Sequence, residues 1–170
     1  MQLIRCTKKL QKEMELKKDD VQTGKAVPSY LGSWHANLLF IERKKCVLFA
    51  NDKTLFNFIV LGVCKAELQK LDVLFKQYLQ TVLAEEDMAE SIRQRILSEY
   101  AEIAYANTNN RKVLGSMNDL ARSYKYAILE SGGIHSPAIP TLIKQFNRMP
   151  MGMLHYQYPI DMLRAMYGTA

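Results

Sequence analysis

Between residues 34 and 62 the chain carries three apolar, aromatic-rich runs of strand length, WHANLLFI, CVLFAN and LFNFIVLG, divided by the charged tetrapeptide ERKK and the turn-forming NDKT. From Lys65 the spacing changes. Leu68, Leu71, Leu74, Phe75, Tyr78, Leu79 and Val82 recur at the i, i+3, i+4 interval of one amphipathic helix. A change of period within one short stretch excludes an all-helical or all-β chain. It predicts an α+β fold: an antiparallel sheet built around a central hairpin and meander over 34–61, packed by about five or six helices. Within it, residues 34–42 and 45–50 form the hairpin.

The flanks fit that frame. Residues 2–6 read as a short strand, and Thr7 as the cap of a helix that fails near Lys17. Residues 17–33, with Gly24, Pro28 and Gly32, read as a long connection. Met88, Ile92, Ile96 and Leu97 form another helical stripe, whose first turn is crowded by Glu85, Glu86, Asp87 and Glu90. EIAYAN reads as a strand, TNNR as a turn, and Ser116 with Asp119 as a capping box opening a helix that runs to Gly132-Gly133. SPAIP opens a helix ending before Pro150, MLHYQY alternates as a strand would, and Pro159 and Gly168 bracket the last helix. The 170 residues, 48% of them apolar, suffice for one core, so the expected organisation is a single domain over 1–170.

Compartment and cofactors follow from what is missing. There is no apolar run of membrane-spanning length and no signal-peptide core. Cys6, Cys46 and Cys64 are odd in number, lack CxxC spacing and lie among apolar residues, as reduced core thiols do. The expectation is a cytoplasmic protein without membrane contact. His35, His135 and His155 have no metal-ligand spacing, and no GxSxG elbow, Walker loop or GxGxxG is present. Neither a metal nor a cofactor is expected.

Charge is unevenly distributed. Residues 1–53 carry 11 Lys and Arg against 6 Asp and Glu, residues 54–106 carry 5 against 8, and residues 107–170 carry 7 against 3. Two basic ends around an acidic middle permit a positive face, with Lys8, Lys9, Lys12, Arg43, Lys44, Lys45 and Arg148 as the residues that would meet nucleic acid or an acidic protein partner. Tyr156 and Tyr158, at strand spacing beside Arg148, offer an aromatic edge for bases.

Two polar constellations could carry chemistry. With the hairpin turning at Arg43-Lys44, His35 falls opposite Asp52, Asn37 opposite Ala50 and Trp34 opposite Lys53, so that His35, Asn37 and Asp52 share a face. A histidine beside a carboxylate can act as base, acid or oriented donor, which makes His35 and Asp52 the catalytic candidates. Asn109, Asn110 and Arg111, followed by Ser116, Asn118 and Asp119 at a helix start, could hold an anion on free N–H groups and a guanidinium. The two sets are expected to share one concave site. Each also has a plain structural explanation, as a strand-end hydrogen bond and as a helix cap.

Three stretches, LGSWHANLLFIERKKCVLFANDKTLF, TNNRKVLGSMNDLA and NRMPMGMLHYQYP, resemble an uncharacterised family of bacterial, plasmid and phage-associated proteins of about this length. The resemblance spans nearly the whole chain and implies a bacterial or mobile-element setting without assigning any catalytic residue. The leading expectation is therefore a non-enzymatic binding module contacting nucleic acid or a partner protein. Its rivals are a small nucleotide- or phosphoester-processing enzyme, with His35 as base, Asp52 orienting it and Arg111 holding the anion, and a small-ligand sensor.

Overall fold

The three apolar runs do become neighbouring strands. In a computed structural model that describes residues 1–168, β3 (Trp34–Ile41), β4 (Lys44–Asn51) and β5 (Asn57–Val60) form an antiparallel meander. The turn is Glu42-Arg43, however, one position earlier than expected, with φ of 50° and 63°. Two consecutive left-handed residues make the two-residue turn that suits strand twist. Neither is glycine or asparagine, and the Glu42 carboxylate is held by the Ile134 N–H at 3.1 Å, a tertiary tie that local sequence does not show.

The register corrects accordingly: Trp34 pairs with Asn51 and His35 with Ala50, in place of Lys53 and Asp52. Because the displacement is two residues, every side chain keeps its expected face. One face carries Trp34, Phe49 and Phe58 against Phe75 of α3 (Leu71–Glu85), whose apolar stripe also includes Leu74, Leu79 and Val82. The opposite face carries His35 and Asn57 and is covered by α5 (Arg111–Glu130) through Val113, Met117, Leu120, Tyr124 and Ile128.

The sheet itself is mixed, contrary to the antiparallel expectation. Its order is β2-β6-β1-β3-β4-β5, where β1 is Gln2–Cys6, β2 is Val21–Gln22 and β6 is Ile103–Asn107. β1 runs parallel to both β3 and β6, placing Ile4 between Trp34 and Tyr105, and β2 lies parallel to the outer side of β6. A five-residue run such as QLIRC marks a strand but carries no information on the direction of partners about thirty and about a hundred positions away. Thr7 caps α1 (Lys8–Glu13) as the sequence predicts.

The described residues contain seven helices. α2 (Lys65–Leu68) and α3 are separate because the chain leaves helical geometry at Lys70, and the phenol oxygen of Tyr105 accepts the Asp72 N–H at 3.0 Å to cap the second piece. Cys64 precedes α2 and is exposed, while Cys6 and Cys46 are buried as expected. α4 is Glu90–Ser98. α5 begins at Arg111 with Asn110 as its cap, so Ser116 lies inside the helix and is not its start. The difference arises because Asn110 accepts from two backbone N–H groups, Lys112 at 3.0 Å and Val113 at 3.2 Å. After α6 (Ile139–Phe146), MLHYQY is not a strand: Gly152–Leu154 is a 3-10 turn, His155 and Tyr156 take left-handed φ, and Met151 meets Gln157 in a single bridge. α7 is Pro159–Met166. No helix among the described residues is long and apolar enough to cross a membrane.

Buried carboxamides close the open edge at β5. Asn147 Oδ1 accepts the Asn57 N–H at 2.9 Å and its Nδ2 donates to the Asn57 carbonyl at 2.7 Å, the two bonds a further strand would make. Tyr124 donates to Asn57 Oδ1 at 2.7 Å, which satisfies its own buried hydroxyl.

Burial, first among the causes, holds the Tyr100, Tyr105, Tyr124 and Tyr167 phenols well above their usual value near 10. The folded chain keeps these protons after the unfolded chain has begun to release them. Stability should therefore be complete below pH 10 and fall as pH rises beyond it, by up to about 1.4 kcal/mol per pH unit for each of the fully buried Tyr100 and Tyr124. Urea unfolding between pH 8 and pH 11 measures this, and Tyr124→Phe should remove one phenol's share of the slope.

Candidate functional site

The even displacement of register keeps His35 and Asp52 together. Asp52, just beyond β4, donates its N–H to the Ser33 carbonyl at 3.0 Å, and its Oδ1 stands 2.6 Å from His35 Nδ1. On the other side of the ring, the Asn109 N–H donates to Nε2 at 3.4 Å. A backbone N–H can only donate, so Nε2 carries the lone pair and Nδ1 the proton, which goes to Asp52. The imidazole is thus neutral in this arrangement, fully buried, and engaged at both nitrogens. It links β3, the β4–β5 turn and the β6–α5 loop. A general base needs a nitrogen that a substrate can reach, and His35 offers none here.

The anion-binding set is only partly brought together. The Asn109 contact puts the start of α5 on the His35 side of the sheet, and Arg111 is exposed at that helix start. Asn110 spends its side chain on the cap. Ser116 donates to the Lys112 carbonyl at 3.1 Å, one turn back along the helix. Asn118 is exposed roughly 10 Å along the axis from Arg111, at 1.5 Å per residue. Asp119 pairs with Arg122, both highly exposed. Asn37 accepts from the Thr7 hydroxyl at 3.0 Å and fastens the β1–α1 junction. Asn37, Asn110, Ser116 and Asp119 are thus each engaged by a local partner, while Arg111 and Asn118 are exposed about two turns apart on α5.

The basic residues divide in a similar way. Lys9 Nζ lies 5.1 Å above the Phe40 ring, and Lys45 Nζ meets Glu13 Oε2 at 2.6 Å, so α1 packs beside the β3–β4 turn that carries Arg43 and Lys44. The Lys45 hydrogen bond holds the Glu13 carboxyl below its usual range, and Lys45 is paired instead of free. Lys8 donates to Asn107 Oδ1 at 2.7 Å. Lys12, Arg43 and Lys44 are exposed.

Arg148 lies at the surface, but its guanidinium is already paired. Its NH1 and NH2 reach the two oxygens of Glu86 at 3.0 and 2.6 Å, and Arg164 NH2 lies 3.3 Å from the Glu86 carbonyl. Glu86 is 4% exposed, and its hydrogen bonds raise the Arg148 guanidinium above its usual value. This pair, buried at its Glu86 end and open at Arg148, was not visible in the sequence, where Glu86 reads as one of four acids at a helix start and its partner lies 62 positions away. Tyr156 and Tyr158 are exposed but, with no strand there, share no strand face.

One family profile, described as Domain of unknown function (DUF6933), matches residues 3–162. The chain belongs to that family. The DUF6933 match runs from β1 into α7, so the His35–Asp52 pair, the β6–α5 loop and the Glu86–Arg148 pair all lie inside it. No curated protein and no solved structure matches the chain.

Two substitutions test these assignments. His35→Ala leaves a cavity and strips Asp52 and the Asn109 N–H of a partner, for an expected loss of roughly 2–4 kcal/mol in urea unfolding. Arg148→Ala strips the Glu86 carboxylate of its main partner, with Arg164 compensating in part and water reaching the vacated half-exposed position, for a loss of roughly 1–2 kcal/mol. A loss below about 0.5 kcal/mol in the second variant would mark Arg148 as an ordinary surface cation.

Proposed function

We propose that this DUF6933 chain is a non-enzymatic binding module that holds nucleic acid by its phosphates against the cations of α1 and the β3–β4 turn. The observation that carries the reading is the packing of Lys9 on Phe40 with the Lys45–Glu13 pair, which sets Lys9 and Lys12 alongside Arg43 and Lys44. The acids of this region are internally engaged. Glu13 binds Lys45, Glu15 binds Lys65 and Gln69, and Glu42 binds the Ile134 N–H. Glu42 keeps its charge, but Lys9, Lys12, Arg43 and Lys44 outnumber it, so the surface is net positive. Phosphate backbones are bound by such surfaces without any requirement for sequence.

The enclosure of His35 supports binding over turnover. A bacterial, plasmid or phage setting, which the family resemblance implies, is one in which nucleic acid is an available partner.

Fluorescence anisotropy with a labelled duplex and a labelled single strand tests the reading, from about 50 to 300 mM KCl. Logarithmic affinity should fall linearly with logarithmic salt, with a slope of roughly −3 to −4 if about four phosphates are neutralised. Lys12→Ala with Arg43→Ala should flatten that slope by about 2. Absence of binding at the lowest salt, or an unchanged slope in the double variant, would overturn the proposal.

A further inference from the structure

Where parallel strands end side by side, they deliver the chain to one rim, and in open sheets small ligands bind beyond those carboxyl ends. β1, β6 and β2 are three such neighbours. Lys8 follows the end of β1 by two residues, Asn107 ends β6, and Thr23 comes directly after β2. These three residues line one cavity of about 280 Å³ with Gln11, Lys17 and Lys18.

The lining is rich in donors. It includes three lysines and no carboxylate. Asp20, the acid two residues beyond Lys18, has an oxygen on the Lys17 N–H at 2.8 Å. Gln11 is 8% exposed and is fixed by donating to the Cys6 carbonyl at 2.8 Å and to Asn107 Oδ1 at 3.0 Å. Lys8 Nζ donates to the same Asn107 oxygen at 2.7 Å. Asn107 therefore spends its acceptor on two protein donors, and its Nδ2 hydrogens remain without a partner among the described residues. The hydroxyl of Thr23 adds a further donor.

We propose that this cavity binds the phosphate of a phosphate monoester. Lys17 and Lys18 supply most of the charge, Lys8 is held in place by Asn107, and Asn107 Nδ2 and the Thr23 hydroxyl hydrogen-bond the phosphoryl oxygens. Three ammonium groups suit the near-double charge of a monoester better than the single charge of a diester within a strand. The cavity lies at the small end of ligand pockets and matches a phosphate with its sugar. Two sources carry this chemistry: a free nucleotide or sugar phosphate, and the phosphorylated end of a nucleic-acid strand. The inference does not rest on the surface proposed above, since Lys17 and Lys18 take no part in it.

The test follows the Asn107 side-chain amide and the Lys18 and Thr23 backbone amides by ¹⁵N–¹H NMR. The titrants are inorganic phosphate, AMP and, at matched ionic strength, sodium chloride. Phosphate and AMP should give saturable shifts that chloride does not. Lys17→Ala with Lys18→Ala should weaken AMP binding about tenfold or more, and Thr23→Val should weaken it less. A 5′-phosphorylated oligonucleotide that binds more tightly than its 5′-hydroxyl twin assigns the site to strand ends; saturable AMP binding without that preference assigns it to free phosphates. Equal shifts from chloride, or wild-type AMP affinity in the lysine double variant, would overturn the proposal. Salt-dependent duplex binding that persists in that case leaves the α1 and hairpin surface standing.

Discussion

Trp34 enters the core only because its indole N–H finds an acceptor there. Nε1 donates to the Tyr100 hydroxyl at 2.8 Å, and that hydroxyl donates to the Gly32 carbonyl at 2.7 Å. Burying the indole unpaired would cost on the order of 1–3 kcal/mol, so the relay is a condition of the packing around it. Phe75 and Tyr100 then meet Trp34 edge-on at 5.1 and 6.5 Å between ring centres, and Phe58 does so from β5. The relay also anchors the end of the long loop that precedes β3. Asn51 secures the same loop by donating to the Leu31 and Ser33 carbonyls.

The same rule holds elsewhere. On the other face His35 joins three segments and Asn147 stands in for a missing strand beside Asn57, while at the end of α3 Glu86 receives Arg148 from the segment after α6. Each of these polar groups is buried or nearly so, and each has partners from distant parts of the chain. Their placement limits the α5 and α6 layer to one seating, because sliding a helix would leave several groups unpaired at once.

This internal pairing shapes the surface. Acids near α1 and the hairpin turn are occupied by lysines or by backbone N–H groups, which leaves Lys9, Lys12, Arg43 and Lys44 to face solvent. At the carboxyl ends of β1, β6 and β2 the acceptor of Asn107 is likewise occupied, and donors remain. Two positively charged features of different shape result. One is an open surface suited to a polyanion, and the other a small cavity suited to a single phosphate.

How much of this was legible differs by range. The hairpin, the Thr7 cap, the α3 stripe and the proximity of His35 to Asp52 follow from spacing, since strand alternation and helical periodicity are set by neighbouring residues and survive a register shift of two. The turn at Glu42-Arg43, the parallel placement of β1 and β6, the break before α3 and the left-handed His155 and Tyr156 were not legible. The first and third depend on groups far along the chain, Ile134 and Tyr105. The fate of each candidate residue divides along the same line. Sequence by itself determined which residues are polar, charged or apolar and which share a local face. Only the tertiary structure decided that His35 is enclosed, that Arg148 is neutralised by Glu86, and that Lys8, Thr23 and Asn107 meet at one rim. Those outcomes depend on which distant segments approach, and that is chosen by the summed burial of apolar surface and the pairing of every polar group carried inside with it.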